Sequence, residues 1–220
     1  MCNSRRVTLD ATSFCLVRAA AASARMLTIA HSNGTRFYGT PGDPGRSKKI
    51  ASFFDNPKLV AQNREFTTYT GTLLGEKVSV TSTGIGCPST AIAVEELIKV
   101  GADTFIRVGT SGGMQPNTQT GDVAVVTGAI RDEGTSRAYL PLEFPAVADP
   151  DVVYHMRQAA EHLGIPHRAG VTHSKDSFFG GVLPSLWASS RPSIRLQPSF
   201  RSLSCVTYAL HFTLSAADAR

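Results

Sequence analysis

The order of polar and apolar positions in the middle of this chain predicts three helices. Apolar residues recur at helical spacing over residues 89–100, and Gly101 follows them as a stop signal. Residues 150–162 form the second predicted helix, with Asp149 as its N-cap. A shorter helix is predicted over residues 46–54, after an Asp-Pro-Gly turn.

Short apolar runs and period-two alternation predict strands between these helices. The predicted strands are residues 65–72, 77–83, 105–108, 123–127 and 167–172. Strands that alternate with helices are typical of an α/β fold whose mostly parallel sheet is covered on both faces.

Two loops carry the residue types that bind phosphate. The predicted strand 105–108 runs into a glycine-rich turn, and Arg107 and Thr110 lie on either side of this turn. Exposed backbone N–H groups, a guanidinium fork and a hydroxyl together favour a phosphate ligand. A second loop of this kind is Pro-Gly-Asp-Pro-Gly-Arg at 41–46. The pair predicts binding of inorganic phosphate or a small phosphate ester.

Composition narrows the classes of protein to consider. Of the 220 residues, 42% are hydrophobic and 18% charged, which is typical of a soluble globular protein. The net charge of +5 is mild and the basic residues form no aromatic-interleaved cluster, so neither nucleic acid nor membrane is an expected partner. The four cysteines lack metal-site spacing, which indicates a reducing compartment, no disulfide framework and no structural metal bound by cysteine.

The two ends depart from the pattern. Residues 1–35 contain four arginines and a single acid, Asp10. The N-terminal segment is taken as residues 1–36, and two interpretations stand. It is either a disordered or wrongly predicted extension of a cytoplasmic protein, or a mitochondrial transit peptide. Residues 180–220 contain eight serines but no Lys or Glu. This stretch is interpreted as an aberrant tail, from a frame change or a retained intron, or as a natural Ser-rich tail.

Six short segments between residues 41 and 178 form a more specific signature than any single motif. They are PGDPGR (41–46), REFTT (64–68), STGIGCPST (82–90), IRVGTSG (106–112), PLEFPAVAD (141–149) and GVTHSKDSF (170–178). Their types and order resemble the uridine phosphorylase branch of the nucleoside phosphorylase family, over about residues 38–179. The resemblance implies a phosphorylase/hydrolase-like three-layer α/β sandwich with a mostly parallel central sheet, here truncated, in an incomplete domain of residues 37–179.

In that family, phosphate attacks the anomeric carbon of a nucleoside and the base departs. The resemblance implies phosphate contacts from Gly42, Arg46, Arg107 and Thr110, and from Arg64 of a neighbouring subunit. It implies phosphorolysis of uridine to uracil and ribose 1-phosphate in nucleoside salvage, by a dimer or a trimer of dimers.

The resemblance also implies nucleoside contacts and an ion site. Thr110, Ser111, Gly112 and Phe178 match the nucleoside-binding positions. The family needs no cofactor, but bacterial members hold a structural potassium ion at the dimer interface. The matching positions here are Glu65, Ile85 and Ser89.

The chain also departs from the family pattern. The residues directly after Phe178, Phe-Gly-Gly-Val-Leu-Pro, lack the Gln and Arg that read uracil, and no Glu that would hold the ribose follows Glu161. His31 is only a weak match for the His that reaches a neighbour's ribose. Two hypotheses therefore stand: a uridine phosphorylase with a shortened sequence, or a catalytically dead fragment that binds phosphate at best or associates with full-length subunits.

Overall fold

The structure is a computed structural model that describes residues 35–112 and 118–177 and the backbone of strand 202–206. Its helices are α1 (Pro44–Ala51), α2 (Cys87–Lys99), α3 (Thr135–Tyr139) and α4 (Pro150–His162). Its strands are β1 (Phe37–Gly39), β2 (Asp55–Asn63), β3 (Phe66–Leu73), β4 (Glu76–Thr81), β5 (Thr104–Ile106), β6 (Val123–Asp132), β7 (Ala146–Val147), β8 (His167–Lys175) and β9 (Ser202–Val206). The three predicted helices and five predicted strands are present, with shifted ends for all but α4. The sequence did not predict β1, β2, β7, β9 or α3.

The strands form two mixed sheets. In the first sheet the order is β2-β3-β4-β1-β5, with antiparallel pairing from β2 to β4 and parallel pairing from β4 to β5. The second has the order β7-β6-β8-β9, in which only the β6–β7 pair is antiparallel. The predicted α/β class is confirmed, while the expectation of mostly parallel pairing holds loosely, because half of the first sheet is antiparallel.

Helices α1 and α2 cover opposite faces of the first sheet. Phe37 of β1 packs against the α1 cluster, whereas the next residue, Tyr38, clusters with Phe105 and with residues of α2. Successive side chains of a strand point to opposite faces, so β1 lies between two apolar layers. The α1 cluster consists of Ile50, Ala51, Phe54, Leu73, Val78 and Val80.

Helix α4 covers the second sheet. Its buried Ala159 and Ala160 pack with Met156 of the same helix, Val123 of β6 and Ile165. Among the described residues, no helix is long and apolar enough to cross a membrane.

The hairpin β2–β3 extends from the edge of the first sheet. All nine residues of β2 are exposed, including Leu59 and Val60. Its inner strand β3 is tied to β4 by a hydroxyl–hydroxyl contact of 2.9 Å between Thr68 and Thr81. Among the described strands, β2 is the edge of its sheet, so the hairpin offers a long strand edge.

Strand β9 is the part of the 180–220 segment that the structure describes, and it pairs in parallel with β8. The rest of that segment and residues 1–34 lie outside the described residues. Both predicted domain boundaries, at 36/37 and 179/180, therefore stay predictions.

The N-cap of α4 provides a test of the local sequence signals. A side-chain oxygen of Asp149 accepts hydrogen bonds from the backbone N–H groups of Asp151 at 2.9 Å and Val152 at 3.0 Å. We expect Asp149→Ala to lower the free energy of unfolding by about 1 kcal/mol, measured by urea denaturation. Asp149→Asn keeps an acceptor oxygen, so its free energy of unfolding should stay within about a few tenths of a kcal/mol of the wild-type value. Equal stability of all three proteins would contradict the capping role.

Candidate functional site

The loops that follow β1 and β4 meet at the carboxyl edge of the first sheet. The backbone N–H of Thr83 donates to the carbonyl of Pro41 at 2.9 Å, and that of Gly84 donates to the carbonyl of Gly42 at 3.0 Å. Parallel strands bring their carboxyl ends to one edge, where ligands of open α/β sheets bind. The first of the two predicted phosphate loops is therefore fixed at this edge by its own backbone.

The side chain of Arg107 joins this junction from the end of β5. Its Nη1 donates to the hydroxyl of Thr83 at 2.8 Å and to the carbonyl of Thr40 at 3.4 Å. A Cβ placed on Gly42 would lie 3.4 Å from Nη2 of Arg107 and 3.0 Å from the carbonyl oxygen of Gly84. The structure thus brings Gly42 and Arg107 together and leaves little room for a side chain at position 42.

Arg46 lies in the first turn of α1, directly after the first loop, and is partly buried. The turn is fixed by Asp43, whose side chain accepts a hydrogen bond of 3.0 Å from the Gly45 N–H. The unpaired N–H groups and the dipole at a helix N-terminus favour an anion. The positive charge of the Arg46 side chain therefore lies near the positive end of the α1 dipole, and both favour an anion.

Thr110, Ser111 and Gly112 follow β5 and are exposed. The strand itself ends at Ile106, earlier than predicted, so Arg107 and Thr110 both belong to the loop. A Cβ added to Gly112 would meet no atom within 4 Å, so this part of the loop is open. Phe178 and His31 lie outside the described residues.

Arg64 and Glu65 occupy the turn between β2 and β3. Arg64 is exposed and has a φ of 51°, a left-handed conformation that is uncommon for a residue other than glycine. Beside it, the carboxylate of Glu65 accepts a hydrogen bond of 2.7 Å from the hydroxyl of Ser89, in the first turn of α2. That hydrogen bond is the largest cause holding the pKa of Glu65 below its usual value.

Ile85 is the third residue of the predicted potassium site, and 84% of its surface is exposed. It follows Gly84, whose φ is +72° and where an added Cβ would lie 2.6 Å from Cγ of Glu65. The turn containing Gly84 and Ile85 therefore runs directly beneath the Glu65 side chain. The structure brings Glu65 and Ser89 into contact and places Ile85 in the adjacent turn.

A cluster that the sequence did not predict lies next to the Arg107 site. The donor atoms of Cys87, Glu133 and Asp176 lie within 4.8 Å of one another. The pKa of the Cys87 thiol is raised to about 12, chiefly by burial and then by the two carboxylates, while Arg107 acts in the opposite direction. A thiol that stays protonated at neutral pH is a poor nucleophile. No spacing signal could have found the cluster, because its members lie far apart in sequence.

Arg131 of β6 organises the loop that contains the Pro-Leu-Glu-Phe-Pro segment. Its guanidinium donates to the hydroxyl and carbonyl of Ser136 and to the carbonyls of Leu140, Pro141 and Phe144, at 2.6–3.0 Å. One side chain therefore fixes the path of residues 136–144. Sequence reasoning missed this role, since an arginine inside a strand carries no motif.

One known protein family matches the part of the chain that forms this site. The family described as Phosphorylase superfamily matches residues 40–190. The chain belongs to the phosphorylase superfamily. The match includes both loops, Arg107 and the turn that holds Glu65.

Individual relatives cover a similar part of the chain. A uridine phosphorylase of Treponema pallidum is 60% identical over 144 residues, which are 66% of this chain and 56% of the relative. The uridine phosphorylase of Escherichia coli is 50% identical over 64% of this chain and 56% of its own length. A guanosine phosphorylase of Halorubrum lacusprofundi is 47% identical over 63% of this chain and 58% of its own length. The aligned region thus spans a little over half the length of these relatives.

The contact between Glu65 and Ser89 gives a prediction about pH. Because the Ser89 hydroxyl lowers the pKa of Glu65, Ser89→Ala should raise that pKa toward its ordinary value. In the wild type, the hydrogen bond from Ser89 to the Glu65 carboxylate adds to the free energy of unfolding above the unfolded-state pKa of Glu65. This contribution is lost as the pH falls through the folded-state pKa of Glu65. The variant should show a smaller loss of stability on the acid side.

A carbon-detected NMR titration of the Glu65 carboxyl group measures this effect. Ser52→Ala is the matched control, because the Ser52 hydroxyl donates to the Lys49 carbonyl in another part of the fold. An unchanged Glu65 titration in the Ser89 variant would show that the hydroxyl does not set its pKa.

Proposed function

We propose that the protein is a pentosyltransferase of the uridine phosphorylase type, which converts uridine and phosphate into uracil and ribose 1-phosphate in nucleoside salvage. The observation that carries the proposal is the position of the Arg107 guanidinium beside Gly42, at the carboxyl edge of a parallel strand pair. Membership of the phosphorylase superfamily and the relatives named uridine phosphorylase support the same reaction.

In the proposed reaction phosphate itself is the nucleophile, so the protein supplies binding and orientation. Arg107 and Arg46 would pair with phosphate oxygens, the Gly42 N–H would donate a third hydrogen bond, and the Thr110 hydroxyl would contact both phosphate and ribose. The protonated Cys87 thiol fits this scheme, because no side-chain nucleophile takes part.

Ser111 and Gly112 would border ribose and base, and Phe178 would pack on the nucleoside. The choice of base is the finer part of the proposal. Relatives named for uridine and for guanosine both match the chain over about two thirds of its length. The matched region therefore suits a shared function, the handling of phosphate, better than the recognition of one base.

The proposed active form is a homo-oligomer built from dimers, in which Arg64 of one copy reaches the phosphate of the other. In support, Arg64 is exposed at the tip of a hairpin whose outer strand carries the exposed apolar residues Leu59 and Val60. Burial of these two apolar side chains between two copies of the chain would favour their association.

A structural potassium ion at the same interface is also proposed, and no cofactor is required. The carboxylate of Glu65 and the hydroxyl of Ser89, 2.7 Å apart, are oxygen ligands that suit a hard cation, and the backbone carbonyl of Ile85 would be the third. The ion would hold the two copies together and take no part in the chemistry. The proposed location is the cytoplasm, in keeping with cysteines that show no disulfide or metal spacing.

A second candidate function is that of a non-catalytic phosphate-binding fragment, which could associate with full-length subunits. It is favoured by residues 179–184, Phe-Gly-Gly-Val-Leu-Pro, which do not supply the Gln and Arg that the family resemblance places after Phe178.

Phosphate binding tests the part that both candidates share. Arg107→Ala removes a charge-assisted pair worth roughly 1.5–3 kcal/mol, so the Kd for inorganic phosphate in calorimetry should rise about 10- to 150-fold. Arg137→Ala, which removes an exposed positive charge from α3, is the control and should leave the Kd unchanged. Equal affinity of the wild type and the Arg107 variant would rule out the assigned role.

Uracil release separates the two candidates. We expect residues 1–220 alone to release no uracil above background. Most of the rate comes from binding ribose and base in the transition state, and the family's Glu for ribose and its Gln and Arg for uracil have no match in these 220 residues. A chain extended by a family-like C-terminal third should be active, and it should lose that activity with Arg107→Ala. Absorbance of released uracil measures both proteins, and robust turnover by residues 1–220 would contradict the fragment hypothesis.

A further inference from the structure

We propose that Thr83 is a positioning residue of the phosphate site, which holds Arg107 and the Gly42 loop at a fixed separation. The inference rests on the proposed function, since it concerns the same site. Thr83 lies between two groups that would contact phosphate, in the segment that links β4 to α2.

The Thr83 hydroxyl connects the two halves of the site. It accepts a hydrogen bond of 2.8 Å from Nη1 of Arg107, and it donates one of 3.4 Å to the carbonyl of Pro41. A hydroxyl has a single proton, so the bond to Pro41 directs its lone pairs toward the guanidinium. The direction of this hydroxyl therefore favours one orientation of Arg107.

The surroundings of Thr83 keep this arrangement rigid. Its relative exposure is 0%, and its backbone N–H donates to the same Pro41 carbonyl at 2.9 Å. The next residue, Gly84, donates its N–H to the carbonyl of Gly42 at 3.0 Å. One buried residue, Thr83, thus fixes the positions of both the Pro41–Gly42 backbone and the Arg107 guanidinium.

Positioning explains why a buried polar residue stands here instead of an apolar one. Packing alone would be satisfied by valine, which has nearly the same shape. A bidentate contact between a guanidinium and phosphate requires a defined plane and distance, and misplacing a binding group weakens the whole site.

The test compares Thr83→Val, Thr83→Ser and Thr81→Val by calorimetric titration with inorganic phosphate. Thr83→Val should weaken binding about tenfold, as the loss of a hydrogen bond to a charged group predicts, and Thr83→Ser should restore most of the affinity. Thr81→Val is the matched control, because Thr81 is 4% exposed and its hydroxyl contacts Thr68, 2.9 Å away. The control should bind phosphate like the wild type.

A double-mutant cycle distinguishes positioning from a general effect on the fold. If Thr83 acts through Arg107, Thr83→Val should change the phosphate Kd far less in an Arg107→Ala background than in the wild type. Equal effects in the two backgrounds, no effect of Thr83→Val on binding, or a failure of serine to restore it would each overturn the inference.

Two further results are informative. If the valine variant does not fold, Thr83→Ala replaces it in the same cycle, with the same expected and contrary outcomes. A wild-type chain that binds no phosphate would defeat the proposed function and this inference together, whereas wild-type binding with an unaffected Thr83→Val defeats this inference alone.

Discussion

The candidate site depends on the backbone junction between the loops after β1 and β4. Two hydrogen bonds, from Thr83 to Pro41 and from Gly84 to Gly42, hold the first loop against the second at 2.9 and 3.0 Å. Arg107 lies close beside Gly42 because position 42 has no side chain, and the junction leaves little room for one. Apolar layers on both faces of β1 keep the strand ends in place, so the positions of the polar groups follow from the core.

The first sheet consists of a well-packed layer and an exposed arm, the β2–β3 hairpin. Helices α1 and α2 bury the first sheet around β1, whereas the outer strand of the β2–β3 hairpin is exposed along its whole length. Arg64 and Glu65 lie at the tip of this arm, and Glu65 is tied back to α2 through Ser89. An arm that is exposed in one copy but fixed at its tip is suited to contacting a second copy, as the proposed dimer requires.

Local signals in the sequence predicted the elements whose ends are set by local chemistry. Helix α4 was predicted with its observed bounds because Asp149 and Pro150 start it and Gly164 follows it. Strand β2 was missed, since all its residues are exposed, its apolar residues Leu59 and Val60 are adjacent and do not alternate with polar ones, and Pro57 lies within it. Strand β6 continues to Asp132, beyond the predicted end at Thr127, because pairing with β8 extends it past Gly128.

The site was predictable only where a motif carries it. The segments containing Gly42, Arg46 and Arg107 were identified from residue type and family resemblance. Contacts such as Thr83 to Arg107 join residues 24 positions apart, and no spacing rule connects them. Such contacts arise from the pairing order of the strands, which the sequence pattern did not reveal.

The proposed phosphate site lies between the Gly42 loop and Arg107. An NMR titration of the isotope-labelled chain with inorganic phosphate tests it most directly, because it reports on each amide and on the arginine side chains. We expect saturable shifts at the Gly42 and Gly84 amides and at Nε–H of Arg107, with β8 unaffected. Shifts spread over exposed basic residues, with Gly42 and Arg107 unchanged, would contradict it.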